Sequence, residues 1–265
     1  MARSVGVQAS DGVWGRLHEV AASIATRALA SLIAGVLVLG IGGRLVMYLS
    51  RLLHPGAVGS ITEGGNRVGE FTLGGSVGLV LFGGLFGALL VGLVWVVLEP
   101  WLPKRPLVVG TAASMIGSFA LIDSENIDFV ILRDPYLDVV LLVGLVFALG
   151  AVLVRVDGWL DRRLPDPAAS RGWRAGSWLV VVLGLPLLAG PPQVFFFEDA
   201  CCGQPPVLTG ALLVMTAALT AWSWVAHARG TGAPQWLVKA GPVSAWATVA
   251  AGAAHLAREI AQVFG

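Results

Sequence analysis

The chain has 265 residues, of which 56% are apolar and only 12% are charged, and its mean hydropathy is +0.81. A water-facing surface needs many more charged residues, so this composition excludes a soluble globular protein. The formal net charge of +1 also excludes a strongly basic nucleic-acid-binding protein. We therefore expect an all-α, polytopic bundle of transmembrane helices, with the lipid bilayer as its partner and no bound nucleic acid.

Residues 1–26 place charged and apolar side chains on different sides of a predicted helix. Val13 and Leu17 recur on one side, and Arg16 lies on the other. This pattern predicts an amphipathic helix at the cytoplasmic surface of the membrane that leads into the first span. The segment lacks the early apolar run of a signal peptide, so we expect it to stay attached to a single transmembrane domain, residues 27–265.

Long uncharged stretches follow, each close to the roughly 20 residues that an apolar helix needs to cross the bilayer. Pro186, Pro191 and Pro192 predict a kink or an end in the fifth stretch. The last stretch contains Arg258 and Glu259, so the pattern allows six spans as well as the seven that we favour. The predicted spans lie near residues 28–49, 73–98, 107–122, 139–156, 178–197, 207–225 and 242–263.

The distribution of Lys and Arg predicts the orientation of this multi-pass bundle. Twelve of these residues fall on the side of the N-terminus, whereas the opposite loops hold only Arg51, Arg67 and Arg133. Cytoplasmic loops carry the excess of positive charge in membrane proteins. We therefore expect a cytoplasmic N-terminus and, with seven spans, a C-terminus outside the cell.

Glycine is the most distinctive residue of the chain, with 35 copies, many in a small-xxx-small pattern in the second predicted span. The residues of this pattern are Gly74, Gly78, Gly83 and Gly87, and beside them Gly84, Ala88 and Gly92. Such ridges let two helix backbones approach closely in lipid, so we expect this span at the centre of the bundle. The alternative is that the first four glycines contact a protein partner or a second copy of the chain.

Arg44 interrupts the first predicted span directly after a run of glycines. An arginine at the bilayer centre costs at least about 2.5 kcal/mol, so this side chain either snorkels to the nearby surface or marks a functional site. The loop after the span offers it carboxylate partners among turn-forming glycines. We therefore predict a polar cluster on the outer face as the candidate site. Its residues are Arg44, Glu63, Asn66, Arg67 and Glu70.

Two of the predicted spans end in similar sequences. The second ends in Glu99-Pro100-Trp101-Leu102, and the fourth ends in Asp157-Gly158-Trp159-Leu160. The similarity fits a duplicated hairpin, and it fits equally well the independent placement of tryptophan at the membrane interface.

The two cysteines of the chain, Cys201 and Cys202, are adjacent in a predicted outer loop, where the compartment permits oxidation. Neighbouring cysteines can close only a strained ring, so a disulfide between them would be readily reduced. A redox pair, a soft-metal site with His54 or His255, and two unrelated small residues are all open interpretations.

No GxSxG, HExxH or Walker-type motif occurs, so we predict no catalytic residues and no enzyme. The acidic loop between residues 123 and 138 lacks the spacing of an EF-hand, and the histidines lack haem-ligating spacing, so we predict neither a metal nor a cofactor. We expect a non-enzymatic accessory, sensory or structural membrane component. The alternative is a transporter-like protein for a small molecule or an ion, which glycine-rich, proline-broken helices and the outer polar cluster favour.

Three stretches of the first half, residues 42–47, 62–69 and 71–75, resemble a group of uncharacterised polytopic integral membrane proteins from high-GC bacteria, chiefly actinobacteria. The resemblance covers roughly the first 160 residues. It implies a location in the cytoplasmic membrane of a bacterium, and it implies no activity.

Overall fold

The computed structural model describes residues 12–61, 73–122, 135–165, 170–197 and 205–265. Within these residues the protein is helical and contains no β-strand element. Four of its helices are long and apolar enough to cross a membrane. The prediction of an all-helical protein with apolar helices long enough to cross a membrane is confirmed. A helix satisfies its own backbone hydrogen bonds, as a span in hydrocarbon must.

Eight α-helices make up the described residues. Those long and apolar enough to span a bilayer are α1, α2, α4 and α7. The short helix α3 continues into a 3-10 turn, Ser118–Ala120. The helices are α1 (Val13–Leu53), α2 (Leu73–Leu98), α3 (Pro106–Gly117), α4 (Tyr136–Arg163), α5 (Arg171–Gly184), α6 (Gly190–Phe196), α7 (Val207–Arg229) and α8 (Gln235–Phe264).

Helix α1 is one continuous element of 41 residues. It covers both the end of the amphipathic segment predicted at residues 1–26 and the first span into which that segment is predicted to lead. No proline interrupts it, and the charges in its first half have partners on other helices. Arg16 Nε donates to the carbonyl oxygen of Ala228 at 3.0 Å, and Trp178 Nε1 donates to His18 Nδ1 at 2.7 Å. These contacts bind the first half of α1 to α7 and α5.

Both α1 and α2 contain a π-helical segment, Val36–Gly42 in α1 and Leu79–Phe86 in α2. The two segments pack against each other. In a π-helix the backbone hydrogen bonds join residues five apart, so each turn is wider than in an α-helix, and such segments are rare. Nothing in the hydrophobic periodicity predicts them.

Helix α5 ends at Gly184, a 3-10 turn covers Leu185–Ala189, and α6 begins at Gly190. The prediction that prolines break this stretch is confirmed. Pro191 and Pro192 lie in the first turn of α6, where a missing N–H costs nothing. Pro242, in contrast, lies inside α8, which runs unbroken through it.

Contacts between helix ends define two ends of the bundle. At one end, which we call the Arg27 end, Arg27 of α1 meets Glu99, the residue after α2. At the other, the His54 end, His54 after α1 meets Asp138 in the first turn of α4. Helix α1 therefore runs towards the His54 end, whereas α2 and α4 both run towards the Arg27 end.

The part of the α2 glycine ridge formed by Gly84, Ala88 and Gly92 packs against α1 inside the protein, as predicted. A Cβ atom added at Gly35 of α1 would lie 2.2 Å from Cβ of Ala88 and 2.6 Å from the carbonyl oxygen of Gly84. One added at Gly92 would lie 2.3 Å from Oγ of Ser31. The backbones of α1 and α2 therefore touch along this ridge, and only small residues permit the contact.

Helices α7 and α8 are joined by buried hydroxyl groups. The Oγ1 atom of Thr216 lies 2.7 Å from Oγ of Ser244 and 3.4 Å from Oγ1 of Thr248. All three side chains are buried. Hydrogen bonds between small polar residues are a usual way to hold helices together where water is absent.

Candidate functional site: an apolar cavity above a buried ion cluster

An apolar cavity of about 360 Å³ lies between α1, α2, α3, α4 and α6. Every described residue that lines it is a glycine or has an apolar side chain. The lining runs from Met47 and Leu121 near the His54 end to Leu98 and Leu102 near the Arg27 end. Ligand sites in proteins commonly have this volume, and a cavity of about 150 Å³ is enough to hold benzene. The cavity is therefore large enough for a hydrocarbon chain.

Both π-helical segments contribute to the cavity wall. Leu39 comes from the segment in α1, and Leu79 and Gly83 come from the segment in α2. Gly43 and Gly87 also line the cavity, and they leave room that larger side chains would fill. The irregular helices and the glycines together keep this space open.

A buried ion cluster lies at the Arg27 end of the bundle, beyond the floor of the cavity. Arg27 Nη2 donates to Oε1 of Glu99 at 2.7 Å, and the two side chains are only 11% and 9% exposed. Lys104, which is 46% exposed, pairs with the same carboxylate oxygen. Arg27 also donates from Nη1 to the carbonyl oxygen of Ser23. The cluster links the end of α2 to α1.

The two cations determine the protonation of Glu99. Burial by itself raises the pKa of this carboxyl group, but hydrogen bonds and charge from Arg27 and Lys104 outweigh burial. The pKa of Glu99 therefore lies below its ordinary value, and the carboxyl group is ionised at neutral pH.

Asp157 of α4 is the second acid near Arg27. Its side chain is 0% exposed, and neither of its carboxylate oxygens has a hydrogen-bond partner. Arg27 Nε and Trp95 Nε1 are also buried without a partner. Buried polar groups in native proteins are nearly always hydrogen-bonded, so three such groups at one end of a bundle single out this region.

At the His54 end, Nε2 of His54 lies 2.6 Å from Oδ2 of Asp138, and both side chains are largely buried. Nearby, the ring of Tyr136 stacks on that of Phe264, with centroids 4.0 Å apart. In the described part of the chain, no three His, Cys, Asp or Glu side chains come together in a way that would hold a metal ion.

Most of the outer polar cluster predicted from the sequence lies outside the described residues. Arg44 lies in α1, two residues after the π-helical segment, and is partly buried. Its predicted companions Glu63, Asn66, Arg67 and Glu70 belong to the segment 62–72, which is not described. Cys201 and Cys202 also lie outside the described residues. These two sites therefore stay predictions.

The predicted partner contact through α2 also stays a prediction. Among the described residues, no atom lies within 4 Å of a Cβ atom added at Gly74 or Gly78. Gly83 and Gly87 instead line the cavity. Two of the four glycines thus have a place inside the protein, and two are available to another molecule.

The ion cluster was not predicted, although the sequence holds a signal for it. Arg27 and Lys104 are two of the twelve Lys and Arg residues from which the sequence analysis predicts the orientation, and they have no other role there. The similar sequences at the ends of α2 and α4, however, contain Glu99 and Asp157 at matching positions, and the structure brings both acids to the Arg27 end. The repetition of an acid at two adjacent helix ends is the feature from which the cluster could have been inferred.

The fold and the cavity define a helical protein with helices apolar and long enough to cross a membrane and with an apolar cavity between them. No protein-family model matches this chain, and searches of curated proteins and of solved structures give no match.

Proposed function

We propose that the protein is a non-enzymatic accessory or sensory component of a membrane, which holds the hydrocarbon chain of a lipid-like molecule in its apolar cavity. The observation that carries this proposal is the cavity itself, about 360 Å³ of space at membrane depth. It extends along α2 from Leu79 to Leu98, a distance on the order of 28 Å at the α-helical rise per residue. That length is close to the thickness of a bilayer core.

The chemistry of the lining supports a chain rather than a polar substrate. Leucine, valine and glycine dominate the described wall, and no described lining residue has an ionisable side chain. A hydrocarbon chain gives up no hydrogen bonds when it enters such a space, and it makes the close contacts that a void denies to the wall.

Photolabelling of residues that lipid cannot otherwise reach tests this proposal. The full-length protein is reconstituted in liposomes with a hexadecane analogue that carries a photoreactive diazirine, and labelled residues are identified by mass spectrometry. Val109, Ile116 and Leu149 line the cavity and are at most 4% exposed. We expect label on these three residues. Label confined to the outer surface of the bundle would refute the proposal.

Two leucine substitutions provide a matched control. Gly43 lines the cavity, and a Cβ atom there would make an ordinary contact of 3.4 Å with Leu79, so Gly43→Leu is expected to fill the cavity and to abolish the label. Gly144 faces open space on α4, so Gly144→Leu is expected to leave the label unchanged.

A transporter-like protein is the second candidate, and the packed π-helical segments favour it. Irregular helices at membrane depth are typical of proteins whose helices move during transport. Transbilayer movement of a diacylglycerol with an NBD-labelled chain separates the two functions. Faster movement in proteoliposomes than in empty liposomes supports a carrier, and equal movement supports an accessory or sensory protein.

We also propose that the chain is a seven-span protein of a bacterial cytoplasmic membrane with its N-terminus in the cytoplasm. The end contacts, which show α1 running opposite to α2 and α4, and the distribution of Lys and Arg support this topology. In intact cells, a membrane-impermeant maleimide is expected to label the natural cysteines, Cys201 and Cys202, after mild reduction. A cysteine introduced at Lys239 in a Cys201→Ser, Cys202→Ser background is expected to stay unlabelled. The reverse pattern would overturn the orientation.

A further inference from the structure

Three buried polar groups without partners lie where the cavity approaches the Arg27 end. They are the carboxylate of Asp157, Nε of Arg27 and Nε1 of Trp95. Asp157 is 0% exposed and Trp95 is 3% exposed, so neither group reaches bulk solvent. A buried donor or acceptor without a partner loses its hydration and gains nothing in return. Together these atoms offer unused hydrogen-bonding capacity to a polar group.

The three groups are connected to the cavity through Trp95. Its side chain lines the cavity floor, and it packs in one cluster with Leu153, Val154 and Leu160, which flank Asp157 along α4. Leu153 also lines the cavity and precedes Asp157 by one helical turn. Arg27 is close enough to Asp157 for their charges to interact. A molecule in the cavity therefore has its end next to these groups.

The donors and acceptors on offer specify what binds. Arg27 and Trp95 each present an N–H donor, and Asp157 in its ionised form presents acceptors and no donor. The complementary group both accepts and donates, as a hydroxyl group does. The site already contains ions of both signs, because Arg27 faces Glu99 and Asp157, and the more exposed Lys104 and Asp161 act on the same cluster. A neutral group adds no further charge to this buried place, whereas a phosphate or an ammonium group adds one that needs its own partner.

We propose that Asp157, Arg27 and Trp95 form a binding site for a hydroxyl group, that of a neutral long-chain alcohol whose chain occupies the cavity. The hydroxyl group donates to Asp157 and accepts from Nε1 of Trp95 or Nε of Arg27. This inference rests on the proposed function, because the chain must enter the cavity for the hydroxyl group to reach the site. Water carries the same hydroxyl chemistry, so the experiment has to separate a lipid alcohol from water.

Competition by three matched probes on the unmodified protein makes that separation. Each probe competes with the photoreactive hexadecane for the label on Val109, Ile116 and Leu149. 1-Hexadecanol donates and accepts, 1-methoxyhexadecane only accepts, and hexadecane does neither. At equal mole fraction in the bilayer, we expect 1-hexadecanol to compete about tenfold better than the other two, since hydrogen bonds to charged groups are among the stronger ones.

The outcomes separate the two proposals. Equal competition by all three probes would overturn the hydroxyl site, which would then hold water only, and the cavity would stand as a chain-binding site. Absence of any label in the cavity would overturn the proposed function and this inference with it. An advantage for 1-hexadecanol alone supports both.

Variants of the site sharpen the result. Trp95→Phe removes the N–H donor and keeps an aromatic ring, so we expect the advantage of 1-hexadecanol to shrink several-fold while competition by hexadecane is unchanged. Asp157→Leu is expected to abolish the advantage. Asp161 lies one turn further along α4 and is exposed, so Asp161→Asn is the matched control and is expected to keep the full advantage. An undiminished advantage in Trp95→Phe and Asp157→Leu would show that the hydroxyl group binds elsewhere.

Discussion

On one face of α2, Gly84, Ala88 and Gly92 touch α1, whereas on the neighbouring face Gly83 and Gly87 border an open cavity. The two faces differ in the residues that lie opposite them. The first face meets small residues of α1, and the backbones close on each other. The second face meets long side chains such as Leu39, which stand between the helices and leave space beside them.

The two faces show that glycine in a membrane helix does not by itself specify close packing. Lipid chains are as apolar as leucine side chains, so only the fit between opposing surfaces decides whether two helices close. We call the face with Gly84, Ala88 and Gly92 the closed face, and the face with Gly83 and Gly87 the open face. A polar contact reinforces the closed face, because Glu99 after α2 pairs with Arg27 of α1. The described residues that line the cavity beside the open face make no such contact. The predictions below act on one face or the other.

The closed face is expected to be the more sensitive. In Gly35→Leu, the new side chain meets Ala88 and the backbone of Gly84, so α1 and α2 must separate. Overpacking costs typically about 1–3 kcal/mol, and more where backbone lies opposite, so we expect loss of the monodisperse protein in detergent. Size-exclusion chromatography measures this loss. Gly74→Leu, in open space on α2, is the control and is expected to elute as wild type.

Removing the charge of Glu99 is expected to have the next largest effect. In Glu99→Gln, the largely buried guanidinium group of Arg27 loses its carboxylate, and breaking a buried pair in this way costs about 3 kcal/mol. The thermal midpoint in detergent measures the loss. Lys104→Gln removes the more exposed partner, so a loss well under 1 kcal/mol is expected there. Equal losses of stability in Glu99→Gln and Lys104→Gln would contradict the conclusion that the buried contact with Arg27 is the stronger of the two ion pairs.

The contribution of Glu99 is also expected to depend on pH. Because its pKa in the folded protein lies below the unfolded value of about 4.3, the ionised form stabilises the fold above that value. The contribution is lost as pH falls through the folded pKa. The gap in thermal midpoint between wild type and Glu99→Gln should be constant near neutral pH and narrow below about pH 4. A gap that widens on acidification would mean that folding raises the pKa of Glu99 instead of lowering it.

A substitution that fills the cavity beside the open face is expected to change the stability of the protein least. Gly43→Leu fills space instead of displacing backbone, and cavity filling commonly adds about 1 kcal/mol of stability. We expect a thermal midpoint equal to or slightly above that of wild type, although the same substitution abolishes photolabelling. A marked loss of stability would mean that the cavity wall is as tightly packed as the closed face.

The sequence predicts the parts of this fold that depend on composition and on local chemistry. Hydropathy identifies the apolar helices, Pro186 and its neighbours predict the break before α6, and the glycine pattern predicts the closed face of α2. These features follow from the solvent and from single residues, so one chain read in order is enough to find them.

The remaining features depend on which helices are neighbours. Arg27 at a helix end is indistinguishable from an orientation marker until Glu99 and Asp157 are known to approach it. The hydroxyl contact of Thr216 with Ser244 joins residues of two different helices. The cavity is a property of five helices at once. The outer polar cluster and the cysteine pair stay predictions, since their residues fall largely in segments that are not described.

The paired π-helical segments have a consequence for the tolerance of α1 and α2 to insertions and deletions. Removing one residue from an α-helix rotates everything beyond it by about 100° about the helix axis. A deletion within Val36–Gly42 would therefore turn Arg44 and the end of α1 to a different side while leaving Arg27 in place. Because the segment Leu79–Phe86 packs on that stretch, a length change in either helix alone would misalign the pair. Coding sequences related to this one should accordingly keep the length of both stretches or alter them together.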